Sequence, residues 1–91
     1  MDLKTYLQQN DGAAATLAQA LDIQVPYLQQ MALPDENPNK RAVNPVRAVH
    51  LEKLTSGLVR RWDTRPKDWH LIWPELIGTD GAPEVTAEQD A

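Results

Sequence analysis

Residues 13–33, AAATLAQALDIQVPYLQQMAL, place small, apolar and turn-forming side chains where two crossing helices need them. Ala18 is small enough to let one helix approach the other, and Leu17 and Leu21 lie beside it at helical spacing. Asp22 follows as the turn residue, because Asp tolerates the left-handed backbone conformation better than most residues. The stretch therefore predicts two helices joined by a tight turn, the arrangement of a helix-turn-helix.

The second helix of this motif has one apolar side and one polar side. Leu28 and Met31 are three residues apart and should face the core, and Ile23 should close the corner before them. In a helix-turn-helix this second helix enters the major groove of DNA, where glutamine can pair with adenine N6 and N7. The side chains predicted to read bases are Gln24, Tyr27, Gln29 and Gln30. The helix face could also be merely solvated. Tyr27 could hydrogen-bond a phosphate, stack on a thymine methyl group, or cover the junction with the fourth helix.

The positive charge of the chain is concentrated directly after this polar helix. The net charge is −4, yet residues 40–67 carry eight Lys or Arg against two acids, a net of +6. Phosphate neutralisation by such cations supplies most non-specific affinity for DNA, although a charged stretch is more ordinarily a solvated face. The side chains expected to contact a DNA backbone are Thr16, Asn39, Lys40 and Arg41.

Length and composition narrow the remaining possibilities. A chain of 91 residues makes one small domain, and the absence of cysteine excludes disulfides and thiolate metal sites. His50 and His70 are isolated, and the chain has no nucleophilic triad, paired active-site carboxylates or Gly-rich phosphate loop. We therefore expect no enzyme, no metal and no cofactor. No signal peptide or membrane span is recognisable, which predicts a cytoplasmic protein.

Periodicity and chain-breaking residues predict an all-helical bundle of four or five helices in residues 1–76. The predicted helices cover residues 2–9, 13–21, 25–32, 45–54 and 64–73, with an irregular connection at 33–45. The core-facing stripe of the fourth helix is expected to be Val46, Val49, His50 and Leu54. Residues 58–63 alternate weakly and predict a short strand or extended segment, and the acidic residues 77–91 predict a disordered tail.

Aromatic and apolar residues near the end of the predicted bundle have two interpretations. Large aromatic side chains dominate the cores of small domains, which favours a core role. A chain this short has difficulty burying three tryptophans, so a homodimer interface is the alternative. The residues concerned are Trp62, Trp69, Ile72 and Trp73.

Two separate stretches resemble the Cro-like and YdaS-like helix-turn-helix proteins of phages and prophages, which are described as repressors or antitoxins. The first is MDLKTYLQQ together with TLAQALDIQVPYLQQM, and the second is RRWDTRPKDWHLIWPEL. Together they span residues 1–76.

This resemblance implies a lambda-repressor-like fold that binds an operator in double-stranded DNA as a homodimer and represses transcription. It also implies an alternative, an antitoxin that acts as a protein-interaction module and controls its own promoter. In that case the acidic residues 79–91 are candidates for ordering on a toxin protein.

Overall fold

The computed structural model describes residues 1–85, and every regular element in that part of the chain is helical. In chain order the elements are α1 (Leu3–Gln9), α2 (Ala13–Leu21), α3 (Val25–Met31), α4 (Pro45–Leu54), α5 (Arg61–Thr64), α6 (Trp69–Ile72) and a 3₁₀ turn (Pro74–Leu76). The predicted all-helical class is confirmed. The longest described helix, α4, has ten residues, whereas about 20 are needed to cross a bilayer, so none of the described helices can span a membrane.

Local capping interactions mark the start of α1 and the end of α2. The carboxylate of Asp2 caps α1 by accepting a hydrogen bond from the Thr5 N–H at 2.8 Å. Asp22 ends α2 in the left-handed region with φ 58° and ψ 47°, as the sequence predicts. The Ile23 N–H then bonds back to the Ala18 carbonyl at 3.0 Å, which closes the turn into α3.

An aliphatic core joins α1, α2, α3 and α4. Its buried members are Leu3, Leu17, Ala18, Leu28, Met31, Val43, Ala48, Leu51 and Val59. The inward orientation predicted for Leu17, Leu28 and Met31 is confirmed, and Ile23 packs against this core from the turn. The connection between α3 and α4 also contributes, because Val43 near its end is only 2% exposed.

The prediction of which side of α4 faces the core is wrong. Val46 is 65% exposed and Leu54 43% exposed, whereas Ala48 and Leu51 are fully buried. Ala48 carries only a methyl group and is fully buried in the aliphatic core, where α4 packs against α2. The prediction chose the larger apolar side chains of α4 and therefore identified the wrong inner face, since a small residue, Ala48, is buried there.

The short strand predicted over residues 58–63 is also wrong. Val59 is buried in the aliphatic core, and α5 begins two residues later. The Asp63 carboxylate accepts a hydrogen bond from the Arg60 N–H at 2.9 Å, which satisfies a backbone donor at the start of α5. The structure also lacks the single helix predicted from Thr64 to Trp73. Instead α5 ends at Thr64, and α6 covers only the four residues Trp69–Ile72.

A second, aromatic cluster lies beyond the aliphatic core. Trp62, Trp69 and Leu76 form its buried part, and the indoles of Trp62 and Trp69 meet edge to face with centroids 5.7 Å apart. Trp73 is partly buried against this cluster, as are Ala82 and Val85 from the segment predicted to be disordered. Residues 77–81 form exposed turns, residues 82–85 have no regular structure, and of these nine residues only Ala82 and Val85 pack on the aromatic cluster. Residues 86–91 lie outside the described part of the chain.

The burial of the tryptophans bears on the two interpretations given above. Trp62 is 9% exposed and Trp69 3% exposed within a single chain, which agrees with the core interpretation. Ile72 and Trp73 are partly buried. The two most buried indoles have little surface left for a second subunit.

Candidate nucleic-acid interface

The outward face of α3 is polar and contains no charged residue. Gln24, at the N-cap, and Gln29 are exposed, whereas Tyr27 and Gln30 are partly buried. Because successive residues of a helix are rotated by about 100°, Tyr27 and Gln29 lie on opposite flanks of this face, and Gln30 lies between them. The four residues predicted to read bases therefore do not point in one direction.

Lys40 and Arg41, at the far end of the connection between α3 and α4, return to the end of α3. The Arg41 N–H donates to the Gln30 carbonyl at 3.1 Å. The Lys40 ammonium donates to the Met31 carbonyl at 2.7 Å, and it lies 3.8 Å from the Asp35 carboxylate. Lys40 thus satisfies a free carbonyl at the C-terminal end of α3, so its charge is engaged within the chain.

Four side chains meet on the Tyr27 flank of α3, and we call them the Tyr27 cluster: Tyr27, Gln30, Arg41 and Arg47. The Arg41 guanidinium carbon lies 4.8 Å from the centre of the Tyr27 ring, and that of Arg47 lies 5.2 Å from it. Arg47 Nη1 also donates to the Tyr27 hydroxyl at 3.1 Å, and Arg41 Nε donates to Gln30 Oε1 at 2.6 Å. The cluster joins α3, the following connection and the first turn of α4.

The Tyr27 cluster carries two positive charges without a neighbouring carboxylate. Among residues 1–85 no carboxylate oxygen lies within 4.0 Å of a nitrogen of Arg41 or Arg47. Cation–π contacts hold both guanidiniums near the Tyr27 ring. Arginine matches the geometry of phosphate oxygens, so the cluster has the chemistry of a phosphate-binding surface.

The other residues predicted to contact a DNA backbone lie apart from the Tyr27 cluster. Thr16 is exposed on α2, and its hydroxyl donates to the Gly12 carbonyl at 3.1 Å. Asn39 is exposed in the connection, where its N–H donates to the Asn37 side chain at 2.8 Å. Of the four predicted backbone contacts, only Arg41 belongs to the cluster.

Arg47 was missing from the residues predicted to contact DNA. Its contact with Tyr27 joins two residues that are 20 positions apart in the chain, which no local pattern indicates. One signal was available: Asn44 and Pro45 predict a helix start, and Arg47 follows in its first turn. The Asn44 side chain does cap α4, by accepting from the Arg47 N–H at 2.8 Å.

The described residues offer no competing metal centre. Residues 1–85 contain no group of three or more His, Asp or Glu that could hold a metal ion. His50 is exposed, and His70 is buried beside Trp69 with ring centroids 5.8 Å apart. Neither histidine lies in the Tyr27 cluster.

Comparison with known proteins does not assign this chain to a family. No model of a known protein family matches this chain, and no curated protein matches it either. The resemblance to Cro-like and YdaS-like proteins therefore depends on the two quoted stretches of sequence alone.

Proposed function

We propose that this protein binds double-stranded DNA sequence-specifically, with α2 and α3 as its helix-turn-helix and α3 in the major groove. The observation that carries this proposal is the Tyr27 cluster. It holds two guanidiniums without a neighbouring carboxylate, among the described residues, on the flank of an exposed and uncharged helix face. DNA recognition combines base contacts with phosphate contacts. The uncharged face of α3 suits the former, and the two guanidiniums suit the latter.

The connection between α2 and α3 supports the assignment of the motif. The left-handed Asp22 and the bond from the Ile23 N–H to the Ala18 carbonyl make a three-residue turn from Asp22 to Gln24. The small Ala18 is 2% exposed beneath this turn. A short turn of this kind between two helices is typical of the helix-turn-helix.

The dimensions and polarity of α3 fit its proposed place in the duplex. An α-helix with its side chains is about 10–12 Å in diameter, and the major groove is about 12 Å wide, so a helix such as α3 can enter it. Gln24 and Gln29 offer both hydrogen-bond donors and acceptors to base edges, and Gln30 offers the donors of its NH₂ group. The helix contains no acidic side chain that would repel the phosphates.

Arg41 and Arg47 are the proposed phosphate contacts on the Tyr27 flank. Arginine matches the geometry of phosphate oxygens with two parallel N–H donors. Lys40 has a different proposed role, because its ammonium is bonded to the Met31 carbonyl and lies near Asp35. It fixes the connection and thereby places Arg41.

The biological role that we propose is that of a phage-type transcriptional regulator, a repressor that acts as a homodimer. The sequence resemblance supports this role, and helix-turn-helix proteins commonly bind two half-sites as dimers. Repression would follow from occupying an operator near a promoter.

The test uses the full chain and a non-specific duplex of about 20 base pairs, over a series of salt concentrations. Arg41→Ala combined with Arg47→Ala should weaken binding at every salt concentration. The slope of log affinity against log salt should fall by about 1 for each phosphate contact that is lost. Fluorescence anisotropy of the labelled duplex measures both quantities.

The matched control is Lys53→Ala combined with Lys67→Ala, which also removes two positive charges but from exposed side chains outside the Tyr27 cluster. This control should keep a salt slope close to that of the wild type. Equal slopes for the two double variants would contradict the proposed role of the cluster. No binding by the wild type at low salt would contradict DNA binding altogether.

A further inference from the structure

The hydrogen bond between Arg41 and Gln30 fixes the orientation of the Gln30 amide. The Nε–H of arginine can only donate, so the Gln30 atom that lies 2.6 Å from it must be the carbonyl oxygen. The Arg41 guanidinium is itself held over the Tyr27 ring at 4.8 Å, and the Arg41 backbone N–H donates to the Gln30 carbonyl at 3.1 Å. The amide is thus oriented before any ligand arrives.

This orientation leaves both N–H donors of Gln30 free. Its side-chain oxygen accepts from Arg41, which occupies one of its two lone pairs, and no described residue accepts a hydrogen bond from its NH₂ group. Gln30 therefore presents two free N–H donors, and its oxygen lies against a positively charged arginine that has only donors.

Base edges in the major groove differ in how they match such a group. Adenine offers an acceptor at N7 and a donor at N6, so its N6 amino group would have to donate to the Gln30 oxygen, which already accepts from the Arg41 guanidinium. Guanine offers two acceptors, N7 and O6, and needs donors alone. We propose that Gln30, oriented by Arg41, selects guanine over adenine at the base pair that it contacts; this inference rests on the proposed DNA-binding function.

Arg41 acts here as a positioning residue, and its effect differs from that of a simple positive charge. Loss of a phosphate contact weakens binding to all sequences alike. Loss of the bond to Gln30 frees the amide to turn and to pair with adenine. Two duplexes that differ in one base pair therefore separate the two effects. The ratio of their affinities depends on the orientation of the Gln30 amide and not on the loss of a phosphate contact.

The experiment first identifies the base pair that Gln30 contacts. The full-length wild type and Gln30→Ala each select duplexes from a random-sequence library. The wild type should enrich guanine at one position where Gln30→Ala shows no preference. Two duplexes are then made with guanine or adenine at that position and are otherwise identical.

The wild type should bind the guanine duplex about tenfold more tightly than the adenine duplex. Arg41→Ala should bind both more weakly and bring their ratio to about 1 or below. Arg47→Ala is the matched control, because it removes an equal charge from the same tyrosine but has no bond to Gln30. It should keep the wild-type ratio.

A third duplex, with 7-deazaguanine at the selected position, tests the wild type without any substitution in the protein. This base lacks the N7 acceptor, so the wild type should bind this duplex little more tightly than the adenine duplex. Enrichment of adenine, no position sensitive to Gln30→Ala, or an unchanged ratio in Arg41→Ala would each overturn the inference while DNA binding stands. Failure of the wild type to bind any duplex would overturn the proposed function, and the inference with it.

Discussion

The arginines of this chain fall into two groups with opposite surroundings. In the C-terminal region, Arg60 and Arg61 lie 3.8 Å and 3.4 Å from the carboxylate of Glu52. Their guanidiniums also lie 4.7 Å from the ring centre of Trp62 and 5.3 Å from that of Trp73, respectively. In the Tyr27 cluster, Arg41 and Arg47 also lie over an aromatic ring, but no described carboxylate accompanies them.

Arg65 completes the first group. It forms two hydrogen bonds with the Asp68 carboxylate and donates from Nη1 to the Val43 carbonyl at 2.9 Å. The C-terminal arginines thus connect the aromatic cluster to the aliphatic core. The comparison teaches that a charge count over residues 40–67 overstates the cations available to a ligand, because several are already paired within the chain.

The largest expected difference between the two regions concerns their aromatic side chains. Trp62→Ala should lower the free energy of unfolding by about 3–5 kcal/mol, because it removes a nearly buried indole from the second cluster. Tyr27→Ala should cost about 1 kcal/mol, since Tyr27 is partly exposed. Urea denaturation followed by circular dichroism measures both values. Equal losses of stability would contradict the distinction between the structural Trp62 and the less buried Tyr27.

A smaller difference is expected between the arginines themselves. Arg65→Ala should cost about 1.5 kcal/mol, because it removes a charged hydrogen-bonding partner from Asp68 and leaves the Val43 carbonyl without this donor. Arg47→Ala should change the free energy of unfolding by less than about 0.5 kcal/mol. The same denaturation experiment compares them. A larger loss for Arg47→Ala would show that the Tyr27 cluster stabilises the fold.

The smallest expected effect is a dependence on acid that belongs to the C-terminal region. The hydrogen bonds from Arg65 hold the pKa of Asp68 below its ordinary value of 3.8. A carboxyl group whose pKa is lower in the folded state stabilises the fold above its unfolded pKa, and this stabilisation is lost as the pH falls through the folded pKa.

The free energy of unfolding of the wild type should therefore decline as the pH falls below about 3.8. Asp68→Asn should be less stable near neutral pH and should decline less steeply in acid. Some decline should remain, because the hydrogen bond from Thr5 also lowers the pKa of Asp2. Parallel curves for Asp68→Asn and the wild type, measured by denaturation at several pH values, would contradict this role of Asp68.

The first three helices were predictable because each signal in that region is local. Leu28 and Met31 lie at helical spacing, and Asp22 has a side chain suited to the left-handed turn that it adopts. The face of α4 was not predictable in this way. Ala48 is fully buried in the aliphatic core, whereas neighbouring Val46, with the larger apolar side chain, is 65% exposed.

The candidate site was predicted only in part, for a similar reason. That Gln24 and Gln29 lie outside the core follows from helix periodicity, and the structure places them there. The engagement of Lys40 with Met31, and the contact of Arg47 with Tyr27, depend on how the connection after α3 folds back. Such contacts between distant positions leave no periodic signal in one sequence.

The return of the chain to α3 has a practical consequence. Because Lys40 and Arg41 are both bonded to the last turn of α3, residues 34–39 form a short excursion whose far end is anchored independently of its tip. A single thiol introduced by Pro38→Cys at this exposed tip would be unique, since the chain contains no cysteine. A dye attached there would report on the proposed docking of α3 on DNA, while the bonds of Arg41 to α3 keep the base of the excursion in place.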